Sequence, residues 1–224
     1  MIILTNDDGI DAPGIAALKE AVATDTTIIA PQAHLSGCGH QVTTQQAIAI
    51  EKRSQHTYAI DGTPADCVRI GLSQLSPETE WVISGINAGG NLGTDAYISG
   101  TVAAAREAAI LGRKAIAISH WINKPMVIDW QLAINLSKIV LNELQSLSLP
   151  SGKFWNVNLP HLSPDSPLPE IVFCQPSTDP LPLDYRLEGN CYYYQGVYNK
   201  RDRTPGTDVD VCFSGKIAVT LLQI

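Results

Sequence analysis

The chain has 224 residues, 45% of them apolar, enough for a sizeable core and a length between one large domain and two small ones. Its formal charge of −7 argues against binding a nucleic-acid polymer through a basic face, although a local metal or helix end can outweigh that charge for a small anion. The five cysteines (Cys38, Cys67, Cys174, Cys191, Cys212) are scattered and include no CxxC pair, so neither a disulfide framework nor a zinc ribbon is expected.

In chain order, IILT (Ile2–Thr5) reads as a buried strand and GIAALKEAVA behind it has helical spacing. The apolar run after Met1 is too short for a signal or a membrane span, and the expectation is a soluble cytoplasmic protein. TIIA (Thr27–Ala30) is a second strand, and QVTTQQAIAI followed by YAI reads as a more exposed β excursion. PADCVRIGLSQL is a helix, WVIS (Trp81–Ser84) a strand, GTVAAAREAAILG a helix and AIAIS (Ala115–Ser119) a strand. This alternation argues for an α/β fold with a parallel sheet and helices on its faces.

After the amphipathic helix DWQLAINLSKIVLNEL the texture changes. NLPHLSPDSPLPE and QPSTDPLPLDYRLEGN are rich in proline and turn formers, NCYYYQGVYNKRDRTPGTDVD is aromatic and hairpin-like, and KIAVTLLQI closes as a strand. We expect a core over residues 1–125 and a smaller, irregular β part over 126–224, with a soft boundary that allows a single domain. The basic run from Lys200 to Arg203 is expected at a solvated hairpin tip.

Ligands of open parallel sheets sit beyond the carboxyl ends of the strands. Three unusual stretches fall at such ends: TNDDGI, APQAHLSGCG and SGINAGGNLGTDAYISGT. Asp7 and Asp8, at the end of the first strand, repel one another unless something positive lies between them. A divalent cation supplies that charge, and the nearby donors are all oxygens: Asp7, Asp8, the Ser36 hydroxyl and the Asn87 amide. Such hard ligands suit Mg²⁺ or Mn²⁺. The plainer alternative has one acid capping the next helix and the other solvated, but Asp11, just before Pro13, already offers a cap.

The glycine-rich stretch is neither a dinucleotide nor a P-loop fingerprint. It feeds Ser99, Gly100 and Thr101 into an alanine-rich helix, whose free amides form an anion site, with Ser99 as a simple N-cap the alternative. In DGTPADCV, Thr63, Pro64 and Asp66 make a complete helix start, so Asp66 is expected to be structural and Cys67 buried. Cys38 lies in the Ser36 loop with no base evident beside it, and His120, at a strand end, is either an acid for the site or incidental. A covalent aspartyl-phosphatase fits poorly, because its second acid stands two residues after the nucleophile. A phospho-receiver module with Asp61 as acceptor leaves half the chain unexplained.

TNDDG, SG after AP, DGTPADCV, SGINAGGNLGTDAYISGTVAAAREAA, NVNLP and TPGTDVD, in that order, together resemble the SurE survival-protein family of nucleotidases. The resemblance implies a Rossmann-like three-layer α/β/α core with a mostly parallel sheet and C-terminal β-hairpin extensions. It further implies a metal-dependent phosphomonoesterase acting on nucleoside 5′- and 3′-monophosphates, and homodimers or homotetramers that exchange C-terminal elements. On that resemblance the metal ligands are Asp7, Asp8, Ser36 and Asn87, and the phosphate contacts are Asn91, Ser99, Gly100 and Thr101. Asp7 or Asp8 would take the proton of the attacking water. The family often has tyrosine directly before SGT, where Ile98 stands here with Tyr97 one place earlier.

Overall fold

Strand β1 (Ile2–Thr5) is buried on both faces, with Ile2 and Leu4 in one core layer and Ile3 in the other. That double burial is what a central strand of a parallel sheet requires. The structure, a computed structural model, describes residues 1–163 and 165–224. Among these, β1 joins a nine-stranded sheet with β2 (Thr26–Pro31), β3 (Ile50–Ser54), β4 (Thr57–Ile60), β5 (Trp81–Ala88), β6 (Lys114–His120), β7 (Lys153–Leu159), β8 (Ile171–Phe173) and β11 (Ile217–Gln223). The order is β3-β4-β2-β1-β5-β6-β7-β11-β8. β3 runs antiparallel to β4, and β11 antiparallel to β7; the other pairings are parallel.

Helices α1 (Pro13–Ala21) and α4 (Trp130–Ser146) cover one face, packing Ile15, Leu18, Ile134 and Val140 onto Leu4, Ile83 and Val157. Helices α2 (Pro64–Ile70) and α3 (Gly100–Ile110) cover the other, where Val68, Val102 and a run of α3 alanines meet Ile3, Ile29 and Val82. The result is a three-layer α/β/α protein. Residues after 125 contribute α4, β7, β8 and β11 to the same layers, together with the separate hairpin β9 (Tyr185–Glu188) and β10 (Cys191–Tyr194) and the short helix α5 (Asp208–Phe213). From β1 the chain steps outward to β2 on one side and later to β5 and β6 on the other, so the strand order reverses between β1 and β5. Doubly wound sheets open their ligand crevice at such a switch point, outside the strand carboxyl ends.

Four expectations need correcting. QVTTQQAIAI is not a strand before Ile50: its backbone is drawn instead to the start of α2, where Thr43 donates from its amide and hydroxyl to Asp66 (2.9 and 2.7 Å) and Gln41 O accepts from Thr63 (2.6 Å). Asp11 does not cap α1; the N-cap is Ala12 with no side-chain bond, and Asp11 pairs with Arg53 at 2.6 Å. The KFWNVNL and IVF segments, given no element from sequence, are strands β7 and β8.

The fourth correction concerns the basic run, which is not a hairpin tip. Arg201 is buried, donates to Asp95 at 2.6 Å and lies over the Tyr198 ring, whose hydroxyl also donates to Asp95 at 2.6 Å. This pair clamps the C-terminal segment onto the single-turn helix Gly93–Tyr97 that leads into α3. Removing one partner of a buried pair strands the other charge, at a cost of roughly 3–5 kcal/mol. Asp95→Ala is therefore expected to lose about that much in urea unfolding, whereas Lys200→Ala, on an exposed side chain, is expected to change stability by less than ~0.5 kcal/mol.

Candidate active site

The turn after β1 sets the geometry. Gly9 adopts a left-handed φ of +101°, and the Asn6 amide donates to Gly9 O at 2.8 Å, so the chain reverses tightly and leaves Asp7 and Asp8 over the crevice. The loop after β2 is tied to the same point, since Leu35 N donates to Asp7 O at 2.8 Å, one residue before Ser36. Its far end is fixed by Gly39 N donating to Ile98 O at 3.1 Å, at the entrance to α3. Asn87, next to last in β5, is in register with Ser119 of β6. TNDDGI, the Ser36 loop, the end of β5 and the start of α3 therefore converge.

Asp7 is buried, and its carboxylate lies against the first turn of α3. Thr101 donates from its hydroxyl to Asp7 Oδ1 in a short hydrogen bond. The approach needs a glycine: a Cβ on Gly100 would lie 2.8 Å from Asp7 Cβ, 2.9 Å from Asp7 Oδ2 and 3.0 Å from Cys38 Sγ. Burial pushes the Asp7 carboxyl above the usual carboxylate range; the Thr101 bond draws it back, and the charge of Asp8 raises it again. Asp8 is held differently, accepting from Ala88 N at 3.1 Å on one oxygen while its other lies 3.3 Å from His34 Nδ1.

The remaining residues singled out from sequence are placed as follows. Asn87 donates from its amide nitrogen to Gly89 O at 2.8 Å, which turns its oxygen to the opposite side as an acceptor. Ser36 is exposed beside the turn that holds Asp7. Ser99 caps α3, accepting from Val102 N at 3.1 Å. Asn91 is buried and donates to Ser119 Oγ at 2.7 Å, while its backbone oxygen accepts from Asn156 and Asn158, each at 3.0 Å. Asp66 forms the reciprocal cap with Thr63, and Cys67 is fully buried, both as expected. Burial and the nearby Asp7 charge raise the Cys38 thiol, which disfavours its thiolate form. Asp61 is exposed at the end of β4, with two strands separating it from β5.

Several participants went unnoticed in the sequence. His34 beside Asp8 stands inside the quoted loop APQAHLSGCG but carried no spacing signal. Asn156 and Asn158 did carry one, because polar residues two apart near the end of an apolar strand share a face.

Whether a divalent cation fits can be judged from the donors. Among the described residues no three His, Cys, Asp or Glu side chains assemble as a metal-binding group, so a cation here would rest on two carboxylates plus neutral oxygens. The oriented Asn87 amide and the exposed Ser36 hydroxyl are of that kind, and the set suits a hard ion. The residues fit the group.

The fold and this site together define a doubly wound α/β protein with paired carboxylates at its switch point, facing a helix start. A family model described as survival protein SurE matches residues 2–179. The chain is 59% identical over 222 residues to a Synechocystis protein named "Putative 5'-nucleotidase", covering 99% of each chain. It is 35% identical over 230 residues to the 5′-nucleotidase SurE of Paramagnetospirillum magneticum, covering 99% of this chain and 88% of that one. The crystal structure of the SurE protein from Aquifex aeolicus matches with a TM-score of 0.88 at 30% identity, covering 99% of this chain and 92% of the other. The chain belongs to the SurE family.

Two measurements probe this geometry. Gly100→Ala forces Asp7 off the helix start and is expected to lose ~1–3 kcal/mol in urea unfolding. His120 is buried, its Nδ1 donates to Trp121 O at 2.7 Å, and burial lowers its pKa to about 4 from an ordinary value of 6.5. It therefore stays neutral near pH 7 and supplies no proton there. Between pH 6.5 and 4 the unfolded chain takes up a proton that the folded chain refuses, so stability falls as pH falls through that window. His120→Leu is expected to flatten the pH 4–7 stability profile by ~3 kcal/mol.

Proposed function

We propose that this protein is a 5′-nucleotidase, hydrolysing nucleoside monophosphates to nucleoside and phosphate. The observation that carries this reading is the approach of Asp7, one of two adjacent carboxylates at the switch point, to the α3 start, in a chain of the SurE family. Asp7, Asp8, Ser36 and Asn87 would hold one Mg²⁺ or Mn²⁺, which supplies Lewis acidity to the phosphoryl oxygens and lowers the pKa of a bound water.

The phosphate oxygens are met by the first-turn amides of α3 at Gly100 and Thr101, where unpaired N–H groups and the helix dipole favour an anion. The hydroxyls of Ser99 and Thr101 are engaged with Val102 N and Asp7, and the Asn91 amide with Ser119, so in this arrangement they shape the cradle more than they line it. Asp8, half-buried and held by Ala88 N, would accept the proton of the attacking water; Asp7 is more deeply packed.

A subunit exchange through the hairpin β9–β10 is supported by its exposed apolar side chains, Leu187, Tyr192, Tyr193 and Tyr194. Scattered free cysteines support a reducing compartment. Among the described residues no helix is long and apolar enough to cross a membrane.

The test is phosphate release from AMP with Mg²⁺ or Mn²⁺ and its loss on chelation. Asp8→Asn is expected to lower kcat at least ~10²-fold with unchanged urea unfolding. Activity near that of the unaltered protein would remove Asp8 from the chemistry.

A further inference from the structure

Two cavities flank the acid pair, and their walls differ in kind. One, about 410 Å³, is lined by Asp8, Asp11, Gln32 and His34 together with the backbone of the Gly9 turn. The other, about 630 Å³, begins at Gly89 and Gly90 and is walled by Trp121, Ile122, Val197 and Tyr198, with Lys124 and Asn199 at its polar positions. The second adjoins the site through the end of β5. Asp8 holds Ala88 N at 3.1 Å, and Asn87 holds Gly89 O at 2.8 Å, so the cavity starts one residue from the acid's own contact.

We infer that this second cavity receives the nucleoside part of the substrate, the sugar passing over Gly89–Gly90 and the base lying among Trp121, Val197 and Tyr198; the inference rests on the nucleotidase reading above. A flat, largely apolar ring system gains from apolar and aromatic walls, and small-molecule sites have this composition with a few polar groups at fixed positions. The acidic cavity offers nothing comparable.

The absence of a side chain on Gly90 keeps this end of the cavity clear. A Cβ on Gly90 would meet the Tyr198 hydroxyl at 3.1 Å and Trp121 Cβ at 3.6 Å, both side chains of the cavity wall. The walls are held in place. Phe213 stacks on Trp121 at 4.2 Å, Trp121 Nε1 donates to Asn199 Oδ1 at 3.1 Å, and Tyr198 is anchored on Asp95. Asn199 also donates to Asn123 at 3.2 Å, so the orientation of its amide is fixed and only part of its hydrogen-bonding capacity is left for a base. The cavity therefore selects for a nucleoside over a small alcohol and discriminates weakly between bases.

Val197 is half exposed, so Val197→Trp fills the cavity without disturbing the core. The readout is the ratio of kcat/KM for AMP to that for phenyl phosphate, with adenosine as a competitive inhibitor of phenyl phosphate hydrolysis. The expected result is a ratio at least about tenfold lower, with adenosine inhibition weakened to a similar extent and urea unfolding unchanged. A smaller fall in the ratio, with phosphate still released, overturns the cavity assignment and leaves the nucleotidase reading standing. So does a loss of self-association in the variant with the ratio unchanged, which would mean that a second copy of the chain covers this surface. Phosphate release from neither ester by the unaltered protein overturns both. Should Val197→Trp fail to fold, Lys124→Trp at the exposed rim is read by the same ratio and the same threshold.

Discussion

Two neighbouring carboxylates at the end of a buried strand are the constraint around which the rest of this structure is arranged. Asp7 in particular has to be satisfied without relying on water, because it is almost wholly buried. Asp7 is given the start of α3, where Thr101 donates and the absence of a Cβ on Gly100 lets the helix close in. Asp8 is given the Ala88 amide and the neighbourhood of His34. The two acids thus lean on different elements, and their mutual repulsion is distributed between the helix and the end of β5. The fold subordinates much of its local geometry to this: the Gly9 turn, the short alanine side chains that let α3 approach the sheet, and the clamp of Arg201 on Asp95 that fixes the segment leading into α3.

One consequence concerns the anion that the helix start serves. Free amides at a helix start favour any negative charge, and here the charge that meets them is a side chain of the protein itself. On the nucleotidase reading, substrate phosphate would have to share this end of α3 with Asp7. A cation held by the acids would ease that sharing, because it would draw carboxylate charge toward itself and leave the amides more available. Metal and phosphate sites would then be physically interdependent, and a substitution at Gly100 or Thr101 would touch both at once.

Most of this was legible from local chemistry, and the misses have physical reasons. The strands β1, β2, β5 and β6 and helices α1 to α4 are written in apolar period, and α2, α3 and α4 also in capping residues, the Thr63–Pro64–Asp66 start most clearly. The acid pair stood out because adjacent charges need an explanation wherever they fall. Arg201 was misplaced because a sequence shows a charge run and not its partner: Asp95 lies 106 positions away, and only the fold brings the two within 2.6 Å. Asp11 was misassigned for a similar reason, its carboxylate taken by Arg53 of β3 instead of the helix start two residues on. In 41–49 apolar and β-branched residues suggested a ladder, but the start of α2 outbid a sheet edge for the same backbone groups. The engagement of Thr101 with Asp7 was hidden too, since a hydroxyl at a helix start reads equally as a ligand for phosphate.

The Ser36 loop shows how a segment without secondary structure can still be held with the accuracy that chemistry needs. Ordering each residue of a loop costs roughly 1–2 kcal/mol of backbone entropy, and a misplacement of about 1 Å can cost ~10²-fold in rate. Four ties offset that cost. Leu35 binds Asp7 O, Gly39 binds Ile98 O, His40 lies 2.8 Å from the buried Glu107 of α3, and Thr43 is fixed on Asp66 of α2. Two of these anchors are the acid turn and the helix entrance, so the loop is referenced to the elements it must complement and not to a distant part of the sheet. Displacement of α3 would carry the Gly39 and His40 ties with it while Asp7 stays with β1. The relative position of that one helix and that one strand is therefore the coordinate on which the geometry of the whole site turns.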